Sequence, residues 1–203
     1  MKPPKAEPVI LPLTLEPASV RIRLGDRKEE VNSVPRNIEL KAKLQDIDST
    51  FTRASGLAVQ APQEIWQQDI FFNSTNGRLK LRILSATEGQ LISYQRADQP
   101  EVRVSTYHVL ETSEPKELRS LLSAALGERA EVTKLRTLLL VGRTRIHLDR
   151  VENLGDYIEL EVVMQDGDCE QAAIAEADAL MHKLEIDPGS LIGTAYVDLL
   201  AAK

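Results

Sequence analysis

Residues 78–83, Arg78-Leu79-Lys80-Leu81-Arg82-Ile83, alternate a basic and an aliphatic residue through three repeats. Successive side chains of a β-strand point to opposite faces, so Arg78, Lys80 and Arg82 share one face and Leu79, Leu81 and Ile83 the other. Just before them, Asn76-Gly77 favours the tight turn of a hairpin. The partner strand is then Trp66 to Phe72, with Trp66 and Phe72 expected in the core.

The same period of two recurs outward in both directions. Asn37 to Leu44 alternates polar and apolar residues, and Gln90 to Arg96 and Glu101 to Val109 read as strands. Thr133 to Leu140, a turn at Val141-Gly142-Arg143 and Thr144 to Val151 form a second hairpin. Leu154-Gly155-Asp156 then turns into Tyr157 to Met164. Helices interrupt the series. Asp46 to Leu57 ends near Gly56, and Ser113-Glu114-Pro115 opens a helix closed by Gly127, with Leu118, Leu121, Leu122 and Ala125 on one face. Asp168 to Leu184 carries a stripe of Ile174, Ala177, Leu180, Met181 and Leu184, and a short helix from Ala195 to Leu200 closes the chain. Strands and helices do not alternate one for one, as a parallel α/β fold requires. The pattern predicts an α+β protein: an antiparallel β-barrel of about eight strands with helices packed outside.

Alternation also sorts the charges. Tyr94 and Arg96 share a face, as do Lys134 and Arg136; Arg145, His147 and Asp149 share another, and Glu159 and Glu161 a fourth. One such strand would read simply as a wet face above a core face. Repetition changes that, because basic faces dominate several strands while carboxylates gather at Glu39, Asp149, Glu159 and Glu161. If the aliphatic faces pack under the helices, the charged faces line the barrel. A lumen rich in arginine and lysine suits a polyanion, since guanidinium forks match phosphate oxygens and lysines add point charge. Carboxylates in the same lumen need a cation between them and the phosphates, and Mg²⁺ or Mn²⁺ takes such hard oxygen ligands. No G-x-x-x-x-G-K-[ST] loop is present, so phosphate binding falls to side-chain rows.

The 203 residues suffice for one domain, and 42% hydrophobic with 28% charged residues is ordinary for a globular protein. No apolar run reaches the roughly 18–20 residues that span a bilayer, so no membrane partner is expected. Prolines at 8, 12 and 17 break any leader-like run, and Cys169 stands alone, which together point to a cytoplasmic, reducing setting. The net charge of -6 weighs against nucleic acid as a partner. Residues 1–34 read as a Pro-rich extension with one strand candidate, Ser19 to Leu24, ahead of the domain at 35–203. His147 reads as a structural histidine of the lumen. His108 and His182 have no companions at ligand spacing, and Cys169 has no histidine partner.

Five stretches in order, Asn37-Ile38-Glu39-Leu40-Lys41, Gly77 to Arg82, Tyr94-Gln95-Arg96, Arg145 to Asp149 and Leu154 to Glu161, resemble the CYTH superfamily, the triphosphate tunnel metalloenzymes. The resemblance runs from about Arg36 to Leu200 and is nearest the class IV adenylate cyclase-like proteins; thiamine triphosphatases and tripolyphosphatases are other members. It implies that Glu39, Asp149, Glu159 and Glu161 face Mg²⁺ or Mn²⁺. It implies further that Lys41, Lys80, Arg82, Arg96, Lys134, Arg136 and Arg145 grip a small-molecule triphosphate, with Lys41 a candidate catalytic group as water activator or phosphate clamp. One departure stands out: the family's Glu-x-Glu-x-Lys reads Asn37, Glu39, Lys41 here. The implied activity is metal-dependent hydrolysis of a triphosphate. The alternatives are conversion of ATP to cyclic AMP and pyrophosphate, and a non-catalytic polyphosphate-binding module. A homodimer is compatible with the resemblance.

Overall fold

The structure is a computed structural model and describes residues 36–96 and 103–203, apart from the side chains of Arg96 and residues 103–106. The extension at 1–34, with its strand candidate, lies outside the described residues. Eight strands are found among those described: β1 (Arg36–Lys43), β2 (Gln63–Phe72), β3 (Arg78–Ser85), β4 (Glu88–Arg96), β5 (Arg103–Thr112), β6 (Glu128–Val141), β7 (Thr144–Val151) and β8 (Gly155–Met164). Between and after them lie α1 (Ile47–Leu57), α2 (Pro115–Leu126), α3 (Glu170–Lys183) and α4 (Tyr196–Ala201). The strands run in the order β1-β5-β4-β3-β2-β6-β7-β8, every neighbouring pair antiparallel. The sheet closes because β1 also pairs with β8.

Turn chemistry sets the registers. Gly77 has φ 67°, and a Cβ there would come within 2.6 Å of the Tyr94 carbonyl oxygen, so the β2–β3 turn requires glycine. Gly142, at φ 59°, lets a two-residue turn join β6 to β7 with Val141 opposite Thr144 and therefore Arg136 opposite Asp149. Asp46 caps α1 by accepting from the amides of Asp48 and Ser49.

The aliphatic faces point outward and are covered by helices. Leu40, Leu139, Ile146, Leu148, Ile158 and Leu160 pack with Ile47 and Ala54 of α1 and with Leu180 and Met181 of α3. Burying a leucine or isoleucine is worth about 1.5–3 kcal/mol, so this layer is the main apolar contribution to closure. Helix α2 covers the other side, with Leu118 and Leu122 against Ile70, Phe72 and Leu81. Helix α4 behaves differently: it packs on the inward-facing Phe71, Val132, Val151 and Tyr157 and so stops one end of the barrel.

The sequence expectations need four adjustments. Trp66 is 46% exposed, because it shares the outer face with Ile70 but lies beyond the reach of α2. Leu121 is 64% exposed, since α2 meets the sheet only along Leu118 and Leu122. Gly56 lies inside α1, which runs on to Leu57, and β6 begins at Glu128, well before Thr133. Among the described residues, no helix is long and apolar enough to cross a membrane.

Candidate active site

Because opposed residues of antiparallel strands share a face, the registers decide what meets inside the barrel. Lys41 faces Glu159, and Glu39 faces Glu161, across β1 and β8. Glu159 faces His147, and Glu161 faces Arg145, across β8 and β7. Asp69 of β2 faces Arg82 of β3.

Two charged groups result. The first surrounds Asp149, which is 0% exposed. Arg136 Nε donates to its Oδ1 at 2.6 Å, while its Oδ2 accepts from Arg136 Nη2 at 2.6 Å, Lys134 Nζ at 2.9 Å and the Tyr196 hydroxyl at 3.0 Å. Arg136 Nη2 also reaches Glu159 Oε2 at 2.6 Å. Lys41 Nζ lies 3.1 Å from Glu159 Oε1, donates to the Thr194 carbonyl at 3.4 Å and sits 3.9 Å above the centre of the Tyr196 ring. Lys134 approaches the same ring at 5.0 Å. Tyr196, from α4, is thus the floor on which two lysines rest.

The second group surrounds Asp69. Arg82 grips both of its oxygens, Nε at 2.8 Å and Nη2 at 3.0 Å, and Lys80 Nζ donates at 2.8 Å. Burial works to raise the Asp69 pKa, but Arg82 and Lys80 override it and hold the carboxyl well below the usual range. Lys80 fares differently: burial, then Arg82, bring it down to about 7 against the pull of Asp69. Its ion pair and its lowered pKa are reconciled by counting charges, since one carboxylate faces two cations and the arginine fork occupies both oxygens. Lys80 is the cation left short of compensation.

Beside the first group are the donors for a metal. Ligand atoms of His147, Glu159 and Glu161 lie within 4.8 Å of one another. His147 is 5% exposed, and its Nδ1 has no hydrogen-bond partner; Glu161 Oε1 stands 3.7 Å away. Burial and Arg136 lower the His147 pKa to about 3, so the ring is neutral and that contact is no ion pair. Burial alone would raise Glu159 and Glu161, but Lys41 and Arg136 hold the first ionised, and with the His147 ring neutral it is the Arg145 and Arg136 guanidinium groups that hold the second below its usual value. Asn37 is buried, and its Oδ1 is likewise without a partner. A cavity of about 10 Å³ is lined by Glu39, Leu40, Lys41, Glu159 and Glu161. A hole of about water size lined by three carboxylates, two of them grouped with an unmet imidazole nitrogen, fits a divalent cation.

The structure therefore brings Glu39, Lys41, Lys134, Arg136, Arg145, Asp149, Glu159 and Glu161 together at one side of the lumen, with Lys80 and Arg82 around Asp69. Asp149 is taken up by cations and Tyr196 and lies outside the group of metal-ligand atoms. Arg96 belongs to β4, and its side chain is outside the description. Sequence reading missed Asp69 and Tyr196. Asp69 carried a usable signal, an acid in the strand next to the basic row; Tyr196 carried none, because a helix from the chain's far end delivers it.

A family model described as the CYTH domain matches residues 35–196. A Methanocaldococcus jannaschii protein named as a candidate adenylate cyclase is 22% identical over 169 residues, covering 80% of this chain and 97% of that protein. The structure of the PH1012 protein from Pyrococcus horikoshii superposes with a TM-score of 0.71 at 17% identity, over 80% of this chain and 98% of that one. A Hippeastrum protein described as a candidate adenylyl cyclase with a dominant triphosphatase activity gives a TM-score of 0.58 at 12% identity, over 83% of this chain and 95% of that one. At these identities the structural likeness is one of fold.

Proposed function

We propose that this chain, which belongs to the CYTH domain family, is a metal-dependent enzyme that hydrolyses a triphosphate held inside its barrel. The observation that carries the reading is the set of buried cations, Lys41, Lys134 and Arg136, with Lys80 and Arg82 nearby, converging on one enclosed lumen. Each of these cations is held by a lumen carboxylate, and a triphosphate would offer them several charges in a row while a divalent ion took up the carboxylates. The activity named for the Hippeastrum protein supports hydrolysis, and the name of the Methanocaldococcus jannaschii protein favours cyclisation as a second reading.

Phosphoryl transfer passes through a loose transition state, so catalysis is mostly positioning and charge stabilisation. Arg82 and Lys80 bind and orient one end of the chain of phosphates. Arg136 and Lys134 neutralise oxygens nearer the reacting phosphorus. Lys41, surrounded by a carboxylate, a carbonyl oxygen and a ring face, acts as a clamp instead of a base. Glu159 and Glu161, with His147 beside them, would hold the divalent ion, which when bound polarises phosphoryl oxygens as a Lewis acid. Helix α4 excludes water from one end.

Phosphate release is to be measured with tripolyphosphate, ATP and thiamine triphosphate, each with Mg²⁺ or Mn²⁺, alongside cyclic AMP. Phosphate without cyclic AMP is expected. Cyclic AMP with pyrophosphate would make the chain a cyclase, and binding with neither product would sink the enzymatic reading.

Lys80 supplies a second expected result. A polyanion beside it raises its pKa above about 7, so binding at about pH 8 takes up protons. Calorimetric titration with tripolyphosphate in buffers of different ionisation enthalpy should show this uptake. Lys80→Met should show less, and identical uptake in the two proteins would remove Lys80 from the binding row.

A further inference from the structure

We propose that His147 Nδ1 is itself a metal ligand, completing a site with Glu159 and Glu161 that selects a first-row transition ion over Mg²⁺. The proposal rests on the lumen being a metal site, as the preceding reading has it, and concerns which atoms hold the ion and which ion they prefer.

Several observations converge on His147. Ligand atoms of the three residues already lie within 4.8 Å of one another, a spread that one ion can bridge with small side-chain movements. Nδ1 is fully enclosed yet accepts from nothing and donates to nothing. Across β6 its opposite residue is Leu138, which offers no hydrogen bond, and across β8 it is Glu159. The nearest carboxylate oxygen on the Nδ1 side is Glu161 Oε1 at 3.7 Å, too far to hydrogen-bond and close enough for both atoms to reach a common ion. Buried polar atoms are nearly always satisfied, so an unmet nitrogen beside Glu161, on a residue opposite Glu159, marks a missing partner.

Asn37 sharpens the point. Its Oδ1, on the lumen face of β1, is another buried polar atom without a partner, and an amide brings no charge to a cation. Asn37 and His147 both shift the donor set from anionic oxygen towards neutral donors. Mg²⁺ takes oxygen ligands in a near-ideal octahedron, whereas imidazole nitrogen suits first-row transition ions.

The test reads metal binding directly. Protein is titrated with Mn²⁺ alone, bound ion is followed by electron paramagnetic resonance, and Mg²⁺ is added as competitor. Spin-echo modulation spectra of the bound Mn²⁺ then report a coordinated ¹⁴N. Wild type should bind Mn²⁺ at least about tenfold more tightly than Mg²⁺ and show imidazole nitrogen modulation. His147→Leu should lose the modulation and weaken Mn²⁺ binding by about 10–100-fold. His147→Gln, which restores an oxygen, should recover binding without the nitrogen signal. Bound Mn²⁺ without nitrogen modulation in wild type would overturn the proposal whatever the variants do. So would no Mn²⁺ binding at millimolar ion, or an unchanged preference in His147→Leu. Failure of the functional reading looks different: nitrogen-coupled Mn²⁺ in a chain that turns over no triphosphate would sink that reading and leave the site standing.

Discussion

Replacing Asp149 by alanine is expected to cost about 3–5 kcal/mol of stability, the scale measured when one partner of a buried ion pair is removed. Asp149 is fully enclosed and accepts four hydrogen bonds, two from Arg136, one from Lys134 and one from Tyr196. Its loss leaves the buried Lys134 without its nearest carboxylate, and Arg136 with Glu159 alone. Urea unfolding measures the cost, and hydrogen exchange over 196–201 should rise, because Tyr196 loses the acceptor that anchors α4. A loss below about 1 kcal/mol would mean that the two cations find other counter-charges and that this network is not what secures the barrel.

Replacing Glu159 and Glu161 together by glutamine is expected to lower metal-dependent turnover by about 10²–10³-fold, the loss typical of deleting preorganised charge stabilisation. The fold should survive. Arg136 keeps its bidentate hold on Asp149, and glutamine retains an oxygen within reach of Lys41. Turnover of tripolyphosphate and thermal unfolding of the same preparation separate the two effects. An unchanged rate would take both residues out of the site, and an unfolded variant would make the pair chiefly structural.

Much of this arrangement was legible in the sequence because strands obey a period of two. Once Gly142-Arg143 makes a two-residue turn, Arg136 must oppose Asp149, and the inward direction of Arg145, His147, Glu159 and Glu161 follows. What alternation cannot supply is lateral distance. The strand Trp66 to Phe72 is legible, but the role of Asp69 within it is not, because its partnership with Arg82 depends on a hairpin register that the loop between Phe72 and Arg78 sets. Tyr196 depends on α4 folding back over the barrel end, and a helix of six residues leaves no periodic trace of its destination. Trp66 shows the same limit from outside: its parity is that of Phe72, but only the helix position decides which of the two is covered.

The closure of the barrel through β1 has a consequence for how a new chain matures. β1 is the first strand of the barrel to be synthesised, and its neighbours are β5 and β8, the latter the last strand made. Until both arrive, each edge of β1 presents unpaired backbone groups, the feature by which strands of different molecules join wrongly. Pairings between distant parts of a chain also form slowly, because the intervening loop must first be closed. The closing seam is therefore the slow and hazardous step in making this protein, and α4 follows it. Lys41 and Lys134 reach the ring of Tyr196 only at the end, after the strands that carry their carboxylates have been made.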